Sequence, residues 1–282
     1  MKPTQPATLP DKPTPFAQKR FGQNFLVDRR IIQRIIDVVE PKPGETIVEI
    51  GPGRGALTGP LLELGARVIA IEFDRNLVPV LKEKFANATN FCLVHDDALI
   101  ANICTAIQPV RTARLVANLP YNIATAVLQR LIEQRECLTQ LVLMLQREVV
   151  DRIVAPTGSK ERGYLSVFVQ AYCETEKLFD VAPTSFRPAP KVWSSIVKIS
   201  FRRALPFGDG QEELFWQVVS AGFAQRRKTI LNNLRNAGGP LLERMKAHGG
   251  ASIVLCRAEV AVDRRAETLS LEEWAKITRA LA

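Results

Sequence analysis

Apolar residues along the chain keep two rhythms. Ile31, Ile32, Ile35, Ile36 and Val39 recur at helical spacing, Asp28 stands where an N-cap belongs, and Pro41 stops the segment. Short apolar runs then take over. Residues 46–50, 67–71, 90–94, 113–117 and 140–145 each predict a buried strand. Their first residues lie 21 to 27 apart, the length of a strand, a helix and two turns. That repetition predicts an α/β fold with a doubly wound parallel sheet.

The rhythm loosens after residue 145. Residues 148–155 predict a helix, and 165–174 fit either a strand or a helix. Residues 177–181 and 194–201 read as a strand pair divided by the proline-rich stretch 183–190. A turn of Pro, Gly and Asp at 206–210 marks a boundary, and the remainder has helical periodicity without a strong strand. The expected organisation is a disordered arm over 1–17, a sheet domain over 18–205 and a small helical domain over 206–282.

Composition narrows the partners. Apolar residues make up 46% and charged residues 24%, ordinary for a globular chain, but the net charge of +9 favours polyanions. The five cysteines are scattered without CxxC spacing, and most neighbour apolar residues, which predicts reduced core thiols in a reducing compartment. Only two histidines are present and no Cys/His cluster forms, so no metal is expected. The chain has no stretch long and apolar enough to span a membrane and no apolar leader, so the expected compartment is the cytoplasm.

The sharpest local signal is Glu49-Ile50-Gly51-Pro52-Gly53-Arg54-Gly55-Ala56-Leu57-Thr58, which follows the first predicted strand and opens a helix. Glycines there permit a tight turn and close approach of backbone to a ligand. The same loop, with Glu72 beyond it, also fits a dinucleotide fingerprint. Two acids at strand ends separate the readings. Glu72 closes the second strand, where a carboxylate takes both hydroxyls of a ribose. Asp97 lies just past the third, where it accepts from an adenine amino group. One adenosine without pyrophosphate fits this set, as S-adenosylmethionine offers. Asp74 and Asp96 read as caps.

At the end of the fourth strand stands Asn118-Leu119-Pro120-Tyr121. The lone pair of an exocyclic adenine amine is delocalised into the ring, and two acceptors for its N–H hydrogens localise that pair toward an incoming methyl. The Asn118 side-chain oxygen and the Leu119 carbonyl are the candidates, with Pro120 fixing the backbone and Tyr121 offering a stacking face. A base stacked in a duplex cannot reach such a pocket, so the substrate base must be unpaired or extruded. Phe186, in Phe186-Arg187-Pro188-Ala189-Pro190-Lys191-Val192, is a candidate second face, and the basic run Arg226-Arg227-Lys228, with Phe223 close by, suits phosphates.

Together, Phe21-Gly22-Gln23-Asn24-Phe25-Leu26, the glycine loop, Asn118 to Tyr121, Phe186 to Val192 and Phe223 to Thr229 resemble the bacterial small-subunit ribosomal RNA adenine dimethyltransferases, the kasugamycin-sensitivity enzymes. The resemblance runs in order from about residue 18 to 235. It implies a Rossmann-like class I methyltransferase sheet with a small all-helical C-terminal domain. It implies N6,N6-dimethylation of two adjacent adenosines near the 3′ end of 16S ribosomal RNA, by a monomer acting on an immature ribosomal subunit. Carried over by position, it puts cofactor contacts at Asn24, Leu26, Gly51, Glu72, Asp97 and Asn118, and the adenine pocket at Asn118, Leu119, Tyr121 and Phe186. Macrolide-resistance-type methyltransferases of large-subunit RNA share the glycine loop and the NLPY-like motif, but the segment from Phe223 to Thr229 resembles the small-subunit family. A catalytically silent nucleic-acid-binding relative is a further alternative, against which the intact Glu72, Asp97 and Asn118 speak.

Overall fold

The computed structural model describes residues 23–282. The expected arm, the Lys19–Arg20 pair and the first two residues of the FGQNFL motif lie outside them.

Seven strands form one sheet in the order β4-β3-β2-β5-β6-β9-β7. Five of them, β2 (Thr46–Ile50), β3 (Arg67–Glu72), β4 (Phe91–His95), β5 (Ala113–Asn118) and β6 (Leu138–Gln146), run parallel and match the five predicted runs to within two residues. The other two, β7 (Cys173–Val181) and β9 (Ser194–Phe201), complete one edge as antiparallel strands. The sheet is therefore mixed, and the expected strand pair belongs to it. The ambiguous stretch 165–174 contains both elements. The helix α7 (Tyr164–Tyr172) passes directly into β7 at Cys173, with both of its faces apolar.

Strand alternation sends successive side chains to opposite layers. On one face Ile47, Val68, Val116, Val142 and Met144 pack with α1 (Arg29–Val39) and α2 (Thr58–Glu63). Asp28 caps α1 by accepting from the Arg30 N–H at 3.0 Å, and Ile35, Ile36 and Val39 are its buried stripe. Each such side chain contributes about 2 kcal/mol. On the other face Val48, Ile69, Leu115, Leu141 and Val197 meet α5 (Ala124–Glu133), α6 (Arg147–Ile153) and α7. The remaining parallel-sheet crossovers use α3 (Leu77–Lys84) and the short α4 (Ile103–Ala106).

Every element after β9 is helical: α8 (Glu212–Gly222), α9 (Ile230–Arg235), α10 (Gly239–Ala247), α11 (Ala251–Arg257) and α12 (Leu271–Arg279). Their apolar side chains, down to the fully buried Trp274, belong to the same buried cluster as one sheet face, so the core runs unbroken through residues 205–206. At the junction, Trp216 Nε1 donates to Tyr172 Oη at 2.8 Å, and the Tyr172 hydroxyl donates to Glu212.

The cysteine expectation needs correction. Cys104 and Cys137 are joined by a disulfide, with Cα atoms 5.4 Å apart. Gln134 accepts from the Ile103 N–H at 2.7 Å, which seats α4 against the turn after α5 and brings together cysteines 33 residues apart. Of the other three, Cys92 and Cys256 are exposed and only Cys173 is a buried thiol.

A short ribbon completes the fold. Strand β1 (Phe25–Leu26) pairs antiparallel with β8 (Phe186–Arg187), setting Leu26 opposite Phe186 and tying the start of the described chain to the loop before β9.

Candidate active site

The carboxyl ends of β2 to β5 open onto one cleft, lined by Asn24, Gly51, Gly53, Glu72, Asp97, Asn118, Leu119, Pro120 and Tyr121 among others. Parallel order makes this so, because each strand delivers its last residue to the same edge.

The glycine loop needs its glycines. Gly51 and Gly53 have φ of +65° and +58°, and a Cβ on Gly53 would come within 3.1 Å of the Phe25 ring. The backbone thus passes under an aromatic from the N-terminal segment. Lys84 Nζ donates to the Arg54 carbonyl at 2.8 Å and steadies the loop from α3.

Glu72 is 5% exposed, and both carboxylate oxygens are engaged. Oε1 accepts from the Asp74 N–H at 2.8 Å and Oε2 from the Gly53 N–H at 3.2 Å. Burial raises its pKa above the ordinary carboxylate value, against those backbone donors. The carboxylate is fixed in orientation and retains lone pairs for a ribose diol. Asp97 lines the same cleft from the end of β4, with Oδ1 accepting from the Leu99 N–H at 2.9 Å. Asp96, which also lines the cleft, accepts from the Asp97 N–H at 2.8 Å and caps no helix. Asp74 accepts from the Asn76 N–H at 3.0 Å as a cap would, and also from Gln23 Nε2 at 2.8 Å, which anchors the N-terminal segment.

Asn118 is the last residue of β5, and its Nδ2 donates to the Asn24 carbonyl at 3.1 Å. That bond fixes which end of the carboxamide faces the N-terminal segment and leaves Oδ1 as an acceptor on the other side. The Leu119 N–H donates to the Met144 carbonyl at 3.3 Å, while the leucine side chain is buried. Pro120 begins a turn closed by the Ile123 N–H on its carbonyl at 3.2 Å. Tyr121 Oη and Ser194 Oγ lie 2.6 Å apart, which fixes the ring at the cleft wall.

Two assigned side chains lie elsewhere. Phe186 is fully buried with Ile35, Val116 and Ile196 and does not line the cleft. The β1–β8 pairing draws it inward, so the ring builds the core and presents no open face to a base. The Leu26 side chain is likewise buried in that cluster, so any cofactor contact from Leu26 comes from its main chain.

Three residues escaped the sequence reading. Glu49, 2% exposed in the middle of β2, accepts from Thr58 Oγ1 at 2.5 Å, and burial pushes its carboxyl up to about 7. A lone acid inside the apolar run Thr-Ile-Val-Glu-Ile was the available signal. Phe73, 53% exposed, lines the cleft beside Glu72 and can cover a flat ring. Asn233, buried in α9, donates to the Gly222 and Gln225 carbonyls and shapes the turn before it. That turn carries Arg226, Arg227 and Lys228, all exposed, and the Arg226 guanidinium donates to the Lys160 carbonyl. The run stands apart from the cleft, across a charged crevice lined by Arg147, Arg152, Lys160 and Arg226.

Comparison with known proteins agrees with this geometry. A profile of the ribosomal RNA adenine dimethylase family matches residues 16–277. The chain is 43% identical over 268 residues to ribosomal RNA small subunit methyltransferase A of Geobacter sulfurreducens, covering 94% of this chain and 95% of that one. To the protein of the same name from Saccharophagus degradans it is 41% identical over 266 residues, 94% of each chain. Among solved structures, a dimethyladenosine transferase from Plasmodium falciparum superposes with a TM-score of 0.73 at 26% identity, over 90% of this chain and 95% of that one. The 23S rRNA methyltransferase ErmE does so at 0.69 and 27%, over 92% and 99%.

The mixed seven-stranded sheet, with its glycine loop and its acids at successive strand ends, defines a class I methyltransferase. The chain belongs to the ribosomal RNA adenine dimethylase family.

Proposed function

We propose that the protein dimethylates the N6 amines of two adjacent adenosines near the 3′ end of small-subunit ribosomal RNA, using S-adenosylmethionine, during maturation of the subunit. It acts as a monomer on an immature subunit in the cytoplasm. The observation that carries this reading is the Asn118 carboxamide, held by the Asn24 carbonyl at the same sheet edge that bears Glu72 and Asp97.

The residues present fit the cofactor. Gly51 and Gly53 turn the backbone at positive φ along the cleft wall, where a Cβ on Gly53 would crowd Phe25. Glu72 would hold the ribose hydroxyls, Asp97 the adenine amino group, and Phe73 would cover the ring. When bound there, S-adenosylmethionine would supply an electrophilic methyl group carried on a sulfonium.

The chain's own part is orientation and electrostatics. Asn118 Oδ1 and the Leu119 carbonyl accept the two amine hydrogens and turn the lone pair toward the methyl. Tyr121, anchored to Ser194, stacks on the base. Asn118 is no base, so the proton released after transfer goes to water. A first methyl leaves one N–H, and the same acceptors serve the second transfer.

Labelled cofactor offered in parallel to immature small subunits and to large subunits from an unmethylated strain tests the proposal. Label on two neighbouring adenosines near the 3′ end, each carrying two methyls, is the expected result. Label on large-subunit RNA instead would shift the reading to the activity named for ErmE, and no label on either would overturn it.

A further inference from the structure

One exposed aromatic stands where the sheet's cleft edge meets solvent. Trp193 immediately precedes β9, whose first residue, Ser194, lies opposite Gln146 at the end of β6. Alternation along extended chain turns neighbouring side chains in opposite directions. Ser194 is buried, with its hydroxyl on Tyr121, whereas Trp193 is 45% exposed, beside the exposed Val192. The position is fixed on both sides. The Arg147 N–H donates to the Trp193 carbonyl at 2.9 Å, and the Arg147 guanidinium carbon lies 5.8 Å from the indole centre. The chain's other two tryptophans serve packing: Trp274 is fully buried and Trp216 lies in the aromatic cluster at the helical junction.

Arg147 also belongs to the charged crevice that leads to Arg226. The acids of that crevice are paired: Glu148 with Arg152, Asp151 with Lys177, and Glu161 with Lys160. Trp193 thus stands next in the chain to the residue that anchors Tyr121, and its partner Arg147 lines the crevice shared with Arg226.

We propose that Trp193 and Arg147 form a stacking platform for the nucleotide next to the one whose adenine enters the cleft. This inference rests on the adenine reading above and adds a residue that holds substrate outside the pocket. A base enters such a pocket only by leaving its stack. Its neighbour on the strand then loses a partner and exposes a π-face, and an indole one residue from the pocket wall takes that face. The guanidinium strengthens the stack and meets the adjoining phosphate. Two exposed apolar residues are too little for a protein partner, which needs about 800 Å² on each side. The platform tolerates any base, because every base has a flat face.

The test compares the parent with Trp193→Ala, Trp193→Phe and Arg147→Ala on unmethylated small subunits. Trp193→Ala raises KM for subunits about tenfold, leaves cofactor affinity and the unfolding midpoint at the parent's values, and is largely rescued by Trp193→Phe. Arg147→Ala raises KM by a smaller factor. A parental KM in Trp193→Ala overturns the platform, and so does a raised KM that phenylalanine fails to restore. Sedimentation of each variant with the same subunits gives a second readout that needs no transfer. If the parent binds subunits yet transfers no methyl, the adenine reading fails, and the platform is still decided by whether Trp193→Ala weakens binding.

Discussion

The Asn118 carboxamide is held by the main-chain carbonyl of Asn24, a residue 94 positions earlier, through a hydrogen bond of 3.1 Å. The bond turns the nitrogen end of the carboxamide toward the N-terminal segment and leaves the oxygen end as an acceptor for a ligand. The N-terminal segment thereby sets the polarity of the group that the proposed reaction assigns to the substrate amine, although Asn24 itself need never touch the substrate.

Replacing Asn118 by alanine removes one of two acceptors for the amine. Loss of one preorganised dipole at a reacting centre costs about 10²–10³ in rate. Methyl transfer should fall by at least that factor, while calorimetry with S-adenosylmethionine still detects weakened binding. A variant with the parent's turnover would remove Asn118 from the chemistry.

Glu49 gives the fold a pH dependence of defined sign. In the folded chain its buried carboxyl keeps its proton up to about pH 7, against an ordinary value of 4.5. Between those values the folded state binds more protons than the unfolded one, so stability declines as pH rises through that window. Glu72, also raised by burial, acts in the same sense. Glu49→Gln keeps a neutral group of the same shape, and its stability profile should be flatter than the parent's by up to about 3 kcal/mol. Urea unfolding at pH 5 and pH 8 measures both slopes, and identical slopes would show that Glu49 does not titrate as described.

Arg226, Arg227 and Lys228 lie exposed on one turn, the geometry for phosphate contact rather than base reading. Changing all three to alanine should reduce the slope of log affinity for RNA against log salt by roughly 2 to 3, with cofactor binding untouched. An unaltered slope would mean that the turn faces away from RNA.

Gly222 closes α8 directly above Trp274. A Cβ there would lie 2.4 Å from Trp274 Cη2 and 3.1 Å from Ile230 Cδ1. Neither neighbour has room to retreat, since both are fully buried. Gly222→Ala should therefore destabilise the protein by about 1–3 kcal/mol, seen as a lower thermal midpoint. An unchanged midpoint would show that the helical region relaxes around the added methyl.

The parallel strands were legible because those inside the sheet are buried on both faces and read as apolar runs, while the edge strand β4, only partly buried, keeps a short apolar run of its own; β2, β3 and β5 begin where those runs begin. Residues 165–174 were not, because α7 meets β7 without a polar break and period alone cannot divide them. At the site, Gly51, Glu72, Asp97 and Asn118 were readable from their offsets to strand ends, since parallel topology carries every such end to one edge. Relationships that depend on closure between distant segments were hidden. Neither the bond from Asn118 to Asn24, nor the pairing that buries Phe186, nor the joining of Cys104 to Cys137 has a local signature.

The ribbon of β1 and β8 has a consequence for synthesis. Its two strands are separated by most of the sheet, so a chain leaving the ribosome cannot register Phe25–Leu26 against Phe186–Arg187 until the later pair has been translated. Shorter nascent chains already contain the glycine loop, Asp74 and Asn118, which hold Gln23 and Asn24, but lack the ribbon partner of Phe25 and Leu26. Closure of the ribbon over the N-terminal segment in this sense waits on translation past Arg187.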